Sequence, residues 1–551
     1  MRLFRWQLLI ALLGTVLIAT VLGYAALSLT TGTAPEQGGA FVEGVIGNPQ
    51  WINPILCQYN QVDCDLSALI FSGLTRLNEK GEVVPDLAES WVVSADGLTY
   101  TFRLRQGVLW HDGAPFTSRD VLFTVKAMQH ADYQGAPHLA RFWSDIAVVA
   151  DNDYTVRFLL PAPLAPFLDY TTIGLLPEHL LYTIAPGDLP KAEFNVQPVG
   201  AGRFRVAEVS AQGIALLPNE NAAGPAPHLE RLEFRFYPDA QSLLEAYKRG
   251  EIVSVSRVSP DLIPEAAALP NLDLYSARMA GYVLIYLNLD DAANLPFFTQ
   301  REVRQALLQA LDRQKLVDEV LNGQGIVANS PILPETWAHW PGLAQHAYDP
   351  ARAAELLDAA GWVDRNGDGI RENEGRTLSF RLVTNDDPLR KRLAESVAAQ
   401  WRKIGVEATA ESVSFARLVG EFLATRRFDA VLTGLELPGD PDPYPLWHST
   451  QAKTPGQNYG GFALRAADEV LEAARTTTDV NRRIALYQQF QQLFADEVPA
   501  LLLYYPVYTY GVDDRVQGVQ VLPLNGPADR FATVNDWFIE TRRVLLGRNA
   551  N

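Results

Sequence analysis

Two patterns of apolar residues divide the body of this chain. From Trp91 to Leu160 apolar and polar positions alternate. Tyr100, Phe102 and Leu104 interleave with Thr99, Thr101 and Arg103, and Tyr154, Val156, Phe158 and Leu160 repeat the period of two. Each run predicts a half-buried strand. Asp96-Gly97 ahead of the first is hairpin-turn chemistry. Thr117 before Val121-Leu122-Phe123 predicts a capped helix start, and Pro161, Pro163 and Pro166 end the strand pattern.

After Pro296 the period lengthens to that of helices. Thr299 and Glu302 read as a capping box, opening a helix with Val303, Leu307, Ala310, Leu311, Val317 and Leu321 on one face and Gly323 as its stop. Asp349-Pro350 opens a second helix, ending at Gly361. Asp387-Pro388 opens a third, with Leu389, Leu393, Val397, Trp401 and Ile404 as its stripe and Gly405 as its stop. Strands are predicted at 378–384 and 406–412. A helix at 481–496 precedes the apolar run 500–505. Strands alternating with helices make an α/β lobe, whereas the earlier region is β-rich.

A third pattern occupies the amino terminus. Arg2 and Arg5 precede an uncharged, mostly apolar run at 8–29. As a helix it would be about 33 Å long, enough for a bilayer core. Basic residues before it place residues 1–7 in the cytoplasm and the body outside. Its length favours an uncleaved anchor; small residues near Gly23-Tyr24-Ala25 leave a cleaved signal open. Residues 30–40, small and polar, read as a linker.

At 551 residues the chain is too long for one core, so two or three lobes are expected. A net charge of −18 disfavours nucleic acid as a partner, because a phosphate backbone would be repelled. The two cysteines, Cys57 and Cys64, stand seven positions apart, and an exported pair so placed favours a disulfide. No histidine lies within four residues of either, so no metal site is expected there. Zinc-protease, nucleophile-elbow, phosphate-loop and dinucleotide motifs are absent, and neither enzyme nor cofactor is expected.

The densest motifs are Val84-Pro85-Asp86-Leu87-Ala88-Glu89-Ser90-Trp91, Leu98–Leu104 and His111-Asp112-Gly113. They are followed by Gln197-Pro198-Val199-Gly200-Ala201-Gly202, by Val303-Arg304-Gln305-Ala306-Leu307 with Ala310-Leu311-Asp312-Arg313, and by Tyr348-Asp349-Pro350 through Gly361-Trp362. Their order and spacing resemble the extracytoplasmic solute-binding proteins of family 5, the dipeptide- and oligopeptide-binding components of peptide-type ABC importers. The resemblance implies an α/β, two-lobe periplasmic-binding-protein-like (class II) fold with an extra β-rich subdomain in the first lobe. Lobe 1 would span 41–290 with a return at 507–540, and lobe 2 would span 291–506. It implies a peptide ligand, ABC permease subunits as partners, a monomer, and a site outside the cytoplasmic membrane. Related bodies carry nickel chelates, oligosaccharides and other solutes, and a receptor partner is a further alternative. Most matched Pro, Gly and Asp positions are turn chemistry that builds the scaffold.

A peptide's ammonium needs a carboxylate partner in a closed cleft. Similar peptide binders place an Asp before a turn like Gly439-Asp440-Pro441-Asp442; here that spacing falls on Leu437. Glu436 is the nearest substitute and Asp440 the second. Tyr444 and Trp447, on the Pro-rich loop that follows, are candidates for stacking on ligand side chains. Tyr59 and Asn60, inside the cysteine loop, and Tyr282, near the first lobe crossing, complete the candidates. Asp364-Arg365-Asn366-Gly367-Asp368-Gly369 opens like a calcium loop but has Gly375 at position twelve, so a tight Asx turn is favoured.

Overall fold

The apolar run at 500–505 does not stop at its tyrosine pair. It continues as one fourteen-residue strand, Ala500–Asp513, most of it buried. The computed structural model describes residues 12–21, 31–78, 81–222, 226–291, 294–437 and 439–545, and in it this strand organises a twelve-stranded sheet. Its first half pairs antiparallel with Gly281–Leu287, Val283 lying opposite Tyr504. Its second half pairs antiparallel with Leu272–Arg278, Tyr275 lying opposite Tyr510. Beyond Gly281–Leu287 come Ala430–Glu436, Ser379–Asn385 and Glu407–Val413; beyond the other half come Ala40–Ile46, Arg231–Tyr237, Gly213–Pro218 and Phe204–Val209.

Two cores follow from that division. Phe41, Phe234, Tyr508 and Tyr510 belong to the first-lobe core. Val283, Ile285, Leu501 and Tyr504 belong to a core of the second. The chain therefore crosses between lobes at Met279-Ala280 and again at Pro506. Gly281–Leu287, expected in lobe 1, lies in the lobe 2 sheet. All seven of its residues are buried, as a strand covered on both faces requires. The β-rich subdomain is the four-stranded sheet of Ala88–Val93, Thr99–Leu104, Thr155–Leu159 and Ala147–Asn152.

Local signals placed the helices unevenly. Thr117 caps Ser118–Gln129 in a reciprocal capping box with Asp120. Asp349 and Asp387 cap Pro350–Ala359 and Pro388–Arg402, and Gly361 and Gly405 take positive φ beyond their ends. Thr299 is not a cap. It ends a short helix, Pro296–Thr299, with its hydroxyl on the carbonyl of Pro296. The expected single helix is two, Arg301–Gln309 and Arg313–Val320, because Asp312 caps a new start.

Residues 12–21 are helical. The rest of the 8–29 segment lies outside the described residues, and among those described no helix is long and apolar enough to cross a membrane. The linker at 30–40 is a correction: Thr31–Pro35 is a strand paired antiparallel with Thr541–Leu545. Cys57 and Cys64 are disulfide-bonded. The carboxylates of Asp364 and Asp368 accept from Gly367, Gly369 and Ile370 backbone N–H groups, which is Asx-turn geometry.

The carboxy-terminal return is locked by a buried ion cluster. Arg530 donates to Glu43 at 2.5 and 3.1 Å and to Asp65 at 2.6 Å, while Tyr510 donates to Glu43 at 2.5 Å. The side chains of Arg530 and Glu43 are 0% exposed. Burial pushes the Glu43 carboxyl upward despite the opposing charge of Arg530.

Candidate functional site

The proline run that ends the strand pattern leads into the 3₁₀ helix Ala165–Thr172 of the first lobe. Phe167 anchors it, fully buried against Tyr100, Trp143 and Phe158. Tyr170 stacks on Phe142. With Phe167 and Tyr170 held on either side of it, Asp169 approaches Gly439 of the second lobe. A Cβ on Gly439 would stand 2.6 Å from Asp169 Oδ1, so only glycine permits this approach.

From the second lobe, the Gly439–Asp442 turn presents two carboxylates. Asp440 takes a bidentate pair from Arg483 at 2.9 and 2.6 Å. Asp442 lies 3.3 Å from Arg475. Arg483, on the helix Val480–Glu497, is packed over Trp337 and donates to the Tyr487 hydroxyl oxygen at 2.9 Å. Arg475, on Arg465–Thr476, sits 4.4 Å over the Tyr444 ring, which stacks on His448.

The electrostatics are unbalanced. Burial raises the Asp169 carboxyl to about 7; the charge of Asp440 adds to this and Arg483 opposes it. Burial also raises Asp442 to about 6, against the pull of Arg475. Burial alone would lower Arg483, but its hydrogen bonds to and charge attraction from Asp440 outweigh this and its basicity rises. Tyr170 is pushed up to about 12, mainly by burial.

The sequence candidates divide. Asp440 and Tyr444 stand in this cluster, but the charge of Asp440 is already committed to Arg483. Glu436 is exposed at the end of its strand, with Gly281 opposite in the ladder. Tyr282 and Trp447 are corrected: they lie in the lobe core at 0% and 1% exposure, Trp447 donating its indole N–H to the Tyr282 hydroxyl at 3.2 Å. Asn60 caps the helix Gln61–Ile70, accepting from Val62 and Asp63. Tyr59 is 64% exposed on the first lobe, its hydroxyl 3.5 Å from the Gly135 carbonyl. Sequence reasoning missed Asp169, Asp442, Arg475 and Arg483. The one available signal was a lone acid inside the aromatic run Phe167-Leu168-Asp169-Tyr170.

The fold and the interlobe cluster define a two-lobed binding body. The family model for bacterial extracellular solute-binding proteins, family 5, matches residues 82–458. The chain belongs to that family. It is 32% identical over 500 residues to the oligopeptide-binding protein AppA of Bacillus subtilis, covering 89% of this chain and 90% of that one. The solved structure of AppA with a nonapeptide aligns at a TM-score of 0.72 and 30% identity, over 92% of this chain and 100% of the other. The dipeptide-binding protein of Escherichia coli K12 is 28% identical over 541 residues, covering 91% and 96%. NikZ of Campylobacter jejuni, solved with Ni(L-His), aligns at a TM-score of 0.73 and 29% identity over 91% and 99%.

Proposed function

We propose that this chain captures peptides between its lobes and delivers them to the permease of an ABC importer. The observation that supports this reading is the meeting of ionisable and aromatic side chains from both lobes at one place: Asp169 and Tyr170 from the first, Asp440, Asp442, Arg475 and Tyr444 from the second. Such a set suits a zwitterionic ligand whose amide groups are polar and whose side chains vary. The relatives named for oligopeptides and dipeptides point the same way. Closure about the crossings at Met279-Ala280 and Pro506 would follow capture and create the docking face for the permease. The segment at 8–29 would hold the body at the outer face of the membrane, or be removed as a signal.

Calorimetry with a library of di- to pentapeptides tests the ligand class, and small-angle scattering tests closure. Binding of at least one peptide with a decrease in radius of gyration is expected. Binding only of a sugar or a metal chelate would overturn the peptide reading.

A further inference from the structure

Five arginines are buried among the described residues: Arg278, Arg304, Arg313, Arg483 and Arg530. Four of them meet a carboxylate. Arg278 pairs with Glu335, Arg304 with Glu497, Arg483 with Asp440, and Arg530 with Glu43 and Asp65. Arg313 is 8% exposed, and among the described residues it meets no carboxylate. Its Nη1 and Nη2 groups donate to the carbonyls of Ala328, Leu502 and His346 and to the side-chain oxygen of Asn329. Those oxygens are dipoles, not charges. They offset part of the cost of burying a cation and leave its charge unbalanced. Burial lowers the guanidinium to about 10, and no carboxylate raises it back.

A second observation places an opening beside that charge. Arg313 lines a cavity of about 20 Å³, together with Asn329, His346, Leu308, Phe494 and Val498. A void of this size takes about one water-sized guest. No Asp or Glu lines it. The Nη groups make every hydrogen bond of Arg313, so its Nε–H has no acceptor among the described residues. Buried donors are rarely left this way. His346 uses both ring nitrogens, on Gln309 and on the Ala495 carbonyl, and its ring has no hydrogen bond left for a guest. Asn329 turns its oxygen to Arg313, which leaves its amide N–H groups without an acceptor among the described residues. Ala344, also in the lining, is exposed and gives a guest a way in.

We propose that this cavity in lobe 2 is a seat for one small monovalent anion of the halide class, held by the Nε–H of Arg313 and the amide of Asn329. A water molecule could satisfy the idle donors, but it would leave the buried charge unbalanced; an anion does both. The size of the void shuts out phosphate, sulfate and carboxylate ligands. The seat is independent of the peptide reading, because none of its residues belongs to the interlobe cluster. Its walls come from the helix Arg313–Val320, from the segment that carries Asn329 and His346, and from the end of Val480–Glu497 where the chain turns into Ala500–Asp513. A bound anion would therefore brace lobe 2 at the root of the shared strand. Ligand bound only by the folded state adds to stability by mass action.

The test has two arms. In the first, wild type and Arg313→Met are unfolded thermally in sodium gluconate and in sodium chloride at one ionic strength, with chloride replacing gluconate stepwise. The wild-type midpoint should rise and saturate, reaching about 1–2 °C once chloride stands about tenfold above its dissociation constant. The variant is less stable in both salts, and only its response to chloride is read; that response should vanish. Equal wild-type midpoints in the two salts, or a chloride response that persists in the variant, would overturn the seat. In the second arm, wild-type crystals are soaked in sodium bromide and measured at the bromine edge. An anomalous peak within hydrogen-bond reach of Arg313 Nε is expected. Density without anomalous signal there means a water, and the proposal fails. This arm needs no variant, so it decides alone if Arg313→Met does not fold.

Discussion

Arg530 and Arg483 meet the same chemistry in two places. Each is stacked on an aromatic ring, Arg530 over Phe531 at 4.1 Å and Arg483 over Trp337 at 4.8 Å. Each stands among more carboxylates than its one charge can balance. Arg530 lies wholly inside the first lobe, and its partners Glu43 and Asp65 never leave it. Arg483 lies at the meeting of two lobes, and the surplus acid, Asp169, belongs to the other lobe. Inside a core the deficit can be met only by a proton, and the Glu43 carboxyl is raised accordingly. A charge imbalance is therefore internal to one lobe in the first region and shared between two lobes in the second.

The sharpest way to break this contrast is to remove each arginine. Arg530→Ala leaves two buried carboxylates unpaired and should cost about 3–5 kcal/mol of stability in urea unfolding. Arg483→Ala should cost less, about 2 kcal/mol, because the lobes can part and wet Asp440. Equal losses would erase the distinction. Peptide affinity should fall in the second variant and hold in the first.

Gly439→Ala probes the approach of the lobes. The added methyl would meet Asp169 at 2.6 Å, and φ at Gly439 is +38°, which disfavours a side chain. Scattering should report a more open ligand-free body, with peptide affinity down about tenfold, equivalent to roughly 1.4 kcal/mol. Unchanged scattering would mean that the loop yields and not the lobes. Glu43→Gln should have the smallest effect. It keeps the shape and size of a carboxyl that burial pushes toward its neutral form, so stability should stay within about 1 kcal/mol of wild type. Its second signature is directional. Wild type should lose the Glu43 contribution as pH rises through its raised value, and the glutamine variant should not.

What the sequence disclosed and what it withheld have a physical division. Asp349, Asp387 and Thr117 were readable as caps because each acts on N–H groups two or three positions away. Thr299 misled because Pro296 begins a helix of its own just before it. Asp440 was readable as an important acid, but its partner Arg483 is 43 residues distant, and only the fold joins them. Asp169 has no local signature beyond the aromatic run that carries it. Tyr282 and Trp447 were read as candidate contacts from their aromatic character; their packing on both flanks of a buried strand system makes them core.

The strand Ala500–Asp513 carries a consequence for how the protein comes apart. Its first half is held by lobe 2 and its second half by lobe 1. Neither lobe can melt alone without stripping a central strand's neighbour from the other and exposing the apolar residues that flank it. The two lobes are thus bound to a common fate in denaturation. Calorimetry should record one cooperative transition, with matching calorimetric and van't Hoff enthalpies, where a pair of independently folded domains would give two.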